Sequence, residues 1–140
     1  MNVFEISLSG LDVEWQRLQV SAQNLANMNS TRSALGEVYN PLRLVSGPAA
    51  SFSAMLDGGR IAASGVQVIG VETIANGTRR SFEPNHPHAD ADGFVTYPNV
   101  DHAGEMTLMI RASRAYEANL VAISIAQDMY SRALDIGRQS

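Results

Sequence analysis

The sequence predicts an α+β chain whose long N- and C-terminal α-helices form a coiled-coil-like helical domain around a small β-hairpin and loop insertion. Three observations predict it. Phe4, Leu8, Leu11, Trp15, Leu18, Ala22 and Leu25 recur in alternating steps of four and three residues, the spacing of one stripe on a coiled-coil helix. Met106, Met109, Ser113, Tyr116, Leu120, Ile123, Gln127, Tyr130 and Leu134 repeat those steps at the other end. Between the two stripes the pattern changes to short extended runs punctuated by Gly, Pro and Asn. The expected organisation is residues 1–35 as an N-terminal helix and turn, 36–100 as a central β and loop region, and 101–140 as the C-terminal helix.

The first helix is expected from Asn2 to Met28, roughly 40 Å at about 1.5 Å per residue. Asn27, Asn29, Ser30 and Thr31 mark its end, because such side chains favour caps and turns over helix interiors. Its other face is polar, with Glu5, Asp12, Glu14, Gln16, Arg17, Gln19 and Gln23. Leu42 to Val45 reads as an extended run between the turn formers Asn40-Pro41 and Ser46-Gly47-Pro48. The stretch from Ser46 to Arg60, rich in Ala, Ser and Gly, reads as a mobile loop or one ordered by a partner. Gly65 to Ile74 is the best strand, with a bulge expected around Gly70. Asn76-Gly77 is a turn signal that would return Thr78 to Phe82 as the second strand of a hairpin.

The C-terminal helix is expected to start at the N-cap Asp101, with Glu105 favourably placed against the first-turn dipole, and to stop near Gly137 in a C′ role. A second seam of mostly small residues, Ala112, Ala115, Asn119, Ala122, Ala126, Met129 and Ala133, runs beside the first. Two adjacent seams imply two sets of helical neighbours, because one antiparallel partner covers only one stripe. Arg111, Arg114, Asp128, Arg132 and Asp135 form a charged face that reads as solvated.

Composition excludes several functions. The hydrophobic fraction of 45% suits a folded chain, but the aromatic fraction is only 6%, so apolar area is expected to be held back for neighbours. A net charge of −4 with ten Lys plus Arg and no basic patch argues against nucleic acid as a partner. The chain has no cysteine, which excludes disulfides, thiolate metal sites and a thiol nucleophile. No stretch approaches the roughly 20 apolar residues needed to span a bilayer, so membrane insertion is not expected. Met1 to Glu5 lacks a positive n-region, so a cleavable signal peptide is not expected either. His86, His88, Asp90 and Asp92 alternate in a way that suggests metal ligation, yet the oxygen set of a calcium loop is incomplete. The favoured reading is that the aspartates cap turns and His86 bonds locally. No nucleophile elbow, phosphate-binding loop or metalloprotease helix occurs, so neither enzyme activity nor a cofactor is expected.

Arg17-Leu18-Gln19-Val20-Ser21-Ala22-Gln23-Asn24-Leu25-Ala26-Asn27, followed by Ser30-Thr31, resembles the N-terminal signature of the bacterial flagellar rod, hook and related axial proteins. The run from His86 to Val100, then Gly104-Glu105-Met106 and Ala112-Ser113-Arg114-Ala115-Tyr116-Glu117-Ala118-Asn119, resembles the proximal-rod branch of that family more specifically. Phe82 and Phe94 stand where the family pattern has tyrosine. The resemblance spans nearly the whole chain and implies a structural subunit of the basal-body proximal rod, located in the periplasm and exported by the flagellar type III apparatus without a cleavable signal peptide. Its implied partners are that export apparatus, copies of itself, and other proximal and distal rod proteins, with which its terminal helices would build a torque-transmitting tube around the export channel. On this reading Leu8, Leu11, Trp15, Leu18, Asn24, Leu25 and Asn27 serve inter-subunit and helix packing at one end. Met109, Ala115, Tyr116, Asn119, Leu120, Ile123, Tyr130 and Leu134 serve it at the other. The alternative from a different class is a soluble helical adaptor or export chaperone, which would use the same seams within a stable small oligomer.

Overall fold

The computed structural model describes residues 3–31, 36–49 and 65–138. Helix α1 spans Val3–Asn27 and helix α2 spans His102–Arg138; between them lie β1 (Leu42–Pro48), β2 (Val66–Thr73), β3 (Thr78–Phe82) and β4 (Phe94–Pro98). The α+β architecture expected from the sequence is the one observed. The helices run antiparallel: Asn24 bonds Glu105 at one end, the Trp15 and Tyr116 rings lie 6.3 Å apart midway, and Phe4 and Tyr130 line one cavity at the other end.

Helix α1 stops where its residue types provide replacement donors. The Asn27 Nδ2 group donates to the Gln23 carbonyl, the Met28 N–H to that of Leu25, and both the N–H and hydroxyl of Ser30 to that of Asn27. The Leu25 and Asn27 carbonyls, left over by the helix, are thereby satisfied, and Asn24 to Asn27 form its last turn. Helix α2 begins directly after Asp101, whose carbonyl accepts the Glu105 N–H at 2.9 Å. It ends within a residue of the expected position, but Gly137 is part of the helix, which runs through it to Arg138, rather than a left-handed C′ residue.

The strands form two separate antiparallel pairs, β1 with β2 and β3 with β4. Ser46-Gly47-Pro48, expected as a turn, continues β1 instead; Pro48 sits at the strand end, where its missing N–H removes no interior ladder bond. Val45 pairs with Gly70 and Ser46 with Val68, which leaves Ile69 as the extra residue of a bulge at the expected place. Residues 50–60 of the expected loop lie outside the described residues.

The Asn76-Gly77 turn forms, with Asn76 at a left-handed φ of 56°, but it does not close the expected hairpin, because β3 pairs with β4 rather than β2. The reason is tertiary. The turn docks on the start of β1, where Gly77 has no room for a side chain: a Cβ there would fall 2.9 Å from Pro41 Cδ. Farther on, Gly93 takes a φ of 78°, and Asp90 Oδ1 accepts the N–H groups of Asp92 at 3.0 Å and Phe94 at 2.9 Å. That turn folds β4 back on β3, where Phe82 and Phe94 are directly paired and meet edge to face at 5.3 Å. The core is small: among the described apolar residues of the helices and strands, Val13, Leu44, Val95, Ala112 and Pro98 are buried.

Candidate assembly interface

The α1–α2 seam is built from the smaller and more polar residues. In α1 the buried positions are Ser7, Val13, Ser21 and Asn24; in α2 they are Glu105 and Ala112, with Ala115, Asn119, Ala122 and Ala126 half-buried. A Cβ on Gly10 would lie 2.9 Å from the Asn119 side-chain amide, so any larger residue there would have to displace Asn119. Small side chains allow this close approach. The seam of large residues lies at the flank or outside. Leu11, Leu18, Leu25, Met109, Tyr116 and Ile123 are half-buried, whereas Leu8, Trp15, Leu120, Tyr130 and Leu134 are exposed. Of the two seams legible in α2, the small one is turned inward from Ala112 to Ala126, with Met129 and Ala133 exposed beyond it, and the large one lies at the flank or outside.

Helix α2 also outruns its partner. Every residue from Gln127 to Arg138 is exposed, about 18 Å of helix, and Met129, Leu134 and Ile136 lie on it. Val66, Ile69, Val71 and Ile74 add exposed apolar surface on and just beyond β2. Monomeric chains seldom leave this much large apolar surface in water. The charged face of Arg111, Arg114, Asp128, Arg132 and Asp135 is exposed, and none of its members forms an ion pair among the described residues.

One fully buried polar residue ties the elements together. Asn24 is 0% exposed and makes four hydrogen bonds. Its Nδ2 donates to the Leu42 carbonyl at 2.8 Å and to Glu105 Oε1 at 2.7 Å; its Oδ1 accepts the Leu42 N–H at 2.9 Å and the Tyr39 hydroxyl at 2.8 Å. Helix α1, the start of β1 and the first turn of α2 are therefore held at a single side chain. Burial, and then the nearby Glu105 carboxylate, raise the Tyr39 hydroxyl above its ordinary pKa. Glu105 Oε2 is buried without a hydrogen-bond partner among the described residues. The sequence singles out Asn24 but not its bonds to Glu105 and Tyr39, since nothing in local spacing places residue 105 beside residue 24.

The histidine and aspartate segment is committed to structure. His86 Nδ1 accepts the His88 N–H at 3.0 Å, and His88 Nδ1 bonds Thr31 Oγ1 at 2.6 Å. The Phe94 N–H foremost, with Arg80 and the Asp92 N–H, holds the Asp90 carboxyl below its ordinary range. Arg80 also stacks 4.7 Å from the Phe94 ring centre. Desolvation, and then its hydrogen bond to Glu83, raise the Tyr97 hydroxyl. Among the described residues no group of three or more His, Asp or Glu could hold a metal ion, and no helix is long and apolar enough to cross a membrane.

Two close-packed helices with a small-residue seam inside and large apolar residues outside define an assembly subunit. Comparisons with known proteins identify the assembly. The family model of the C-terminal region of flagellar basal body rod FlgEFG proteins matches residues 91–136. The flagellar basal-body rod protein FlgC of Escherichia coli O6:H1 is 36% identical over 138 residues, which cover 99% of this chain and 98% of that protein. The FlgC proteins of Bacillus subtilis and Borreliella burgdorferi are 34% and 32% identical, over 95% and 94% of this chain and 95% and 93% of their own lengths. The chain belongs to the FlgC family of flagellar basal-body rod proteins and is a structural subunit of the rod. The adaptor or chaperone alternative is not favoured.

Proposed function

We propose that the chain is a proximal-rod subunit whose outward helical stripes join copies of itself and neighbouring proximal and distal rod proteins into a tube around the export channel. The observation that carries this reading is the placement of Leu8, Trp15, Leu120, Tyr130 and Leu134 in solvent while Gly10, Ser21 and Ala112 fill the internal seam. Different patches meet in such contacts, and heterologous contacts that do not close a ring continue as a helix. Many interlocked seams then share torsional load, and the chain works by packing rather than by a catalytic step. Leu11, Leu18, Leu25, Met109, Tyr116 and Ile123, half-buried at the flank, complete the intermolecular surface; Asn24, Asn27, Ala115 and Asn119 set the shape of the two-helix unit that presents it. Residues 1–35 and 101–140 form its core, with 36–100 as the outer region. Export through the flagellar type III apparatus into the periplasm, without a cleavable signal peptide, fits a subunit whose apolar stripes meet their partners only at the growing rod.

Leu120→Asp tests this reading. Leu120 is 46% exposed, so the substitution should change the stability of the isolated chain by less than about 1 kcal/mol. In a strain with no other copy, incorporation into purified basal bodies should fall by roughly tenfold or more, because a charge would enter a seam between subunits. Normal incorporation and motility would refute the assignment.

A further inference from the structure

We infer that a cavity of about 480 Å³, between the first turn of α2 and the Pro41 and Ile74 ends of the β1–β2 pair, receives an arginine or lysine side chain from a neighbouring rod subunit. The inference rests on the rod-subunit reading above. Glu105 lines this cavity and is only 9% exposed. One carboxylate oxygen is bonded to Asn24, while the other is buried with no donor among the described residues. Buried carboxylates are ordinarily paired, since an unmade hydrogen bond to a charged group is costly.

Among the described residues the donors around Asn24 and the first turn of α2 are already engaged. Asn24 Nδ2 is divided between Glu105 Oε1 and the Leu42 carbonyl, the Tyr39 hydroxyl is given to Asn24, and the Glu105 N–H is given to the Asp101 carbonyl. Arg111 lines the same cavity but forms no ion pair with Glu105 or Asp101. The Asp101 carboxylate lies over Gly104, close enough that a Cβ there would fall 2.5 Å from Oδ2, and adds a second negative charge at the cavity. Pro41, Ile74, Val100 and Leu108 supply apolar wall. Apolar walls leading to two carboxylates suit a long side chain with a methylene stem and a cationic head.

The test uses the full chain as the sole copy in cells. Thr107, exposed at the cavity, is replaced by the photo-cross-linking residue benzoylphenylalanine, and irradiated basal bodies are analysed by mass spectrometry. The expected adduct joins another polypeptide within reach of an arginine or lysine; a second copy of this chain or a different rod protein would each support the inference. Adducts confined to the same chain, Arg111 peptides included, would overturn it. Glu105→Gln, which preserves an acceptor for Asn24, should leave the unfolding midpoint of the isolated chain unchanged or higher and lower rod incorporation by roughly tenfold or more. Wild-type incorporation of that variant, or a matched loss of folding, would also overturn the inference. Absence of the unsubstituted chain from basal bodies would defeat the rod reading instead.

Discussion

Replacing Asn24 should unfasten α1 from both of its neighbours. Asn24→Ala removes four hydrogen bonds of 2.7 to 2.9 Å at a site with no solvent access. Tyr39 is only half-buried and can turn to water, but the Leu42 N–H, the Leu42 carbonyl and Glu105 Oε1 lose the partner they have in the interior. At about 1–2 kcal/mol for each stranded group, the loss is about 3–6 kcal/mol, a large part of the roughly 5–15 kcal/mol that holds a domain of this size folded. Thermal unfolding of the purified chain, followed by circular dichroism, should shift down by roughly 10–20 °C. Asn27→Ala is the internal control. It removes one exposed bond within the helix end and should cost about 0.5 kcal/mol. Asn24→Asp, though isosteric, should be at least as harmful as the alanine variant, because it loses the Nδ2 donor and sets a second carboxylate against Glu105. An Asn24→Ala variant within about 1 kcal/mol of wild type, or equal to Asn27→Ala, would refute the view that this residue holds three elements together.

Gly10→Val should destabilise the chain by about 1–3 kcal/mol by driving into Asn119, and Asn119→Ala should relieve part of that loss in the double variant, as a double-mutant cycle in chemical denaturation would measure. The Asp90 turn should loosen in acid. Because the folded state lowers the Asp90 pKa, its stabilisation is present above the ordinary carboxylate value and is lost as pH falls through the lower, folded one. Exchange of the Phe94 amide should therefore gain a step below the ordinary carboxylate range, which Asp90→Asn should remove; an unchanged profile in that variant would count against the role given to Asp90.

Periodicity within one element was readable without coordinates because it depends on residues three or four apart. Both helices, the Asp101 start and the bulge at Ile69 beside Gly70 followed from such local rules, but the polar face expected for α1 did not hold at Glu14 and Arg17, which pair with each other and are partly buried where Arg17 also bonds Ser46 of β1. The same rules failed where the answer depended on a distant segment. The Asn76-Gly77 signal specified a turn but not its strand partner, because β2 is already paired with β1 and β4 is returned to β3 by the Asp90 to Gly93 turn. Gly137 was expected in a C′ role, which calls for a left-handed φ, but among the described glycines Gly36 and Gly93 take a positive φ and α2 continues through Gly137 to Arg138.

The assembly surface divides along the same line. By itself the sequence determined that each terminal helix carries a stripe of large apolar residues and that the C-terminal helix carries a second, adjacent stripe of mostly small ones, because helical spacing alone aligns them. Only the tertiary structure decided which stripe faces inward. Gly10 against Asn119 brings the helices so close that the small residues fill the seam, and Leu8, Trp15, Leu120 and Leu134 are left outside it. The Asn24–Glu105 junction is likewise a product of the fold, since 81 residues separate its partners and only antiparallel packing of α1 on α2 brings them to hydrogen-bonding distance.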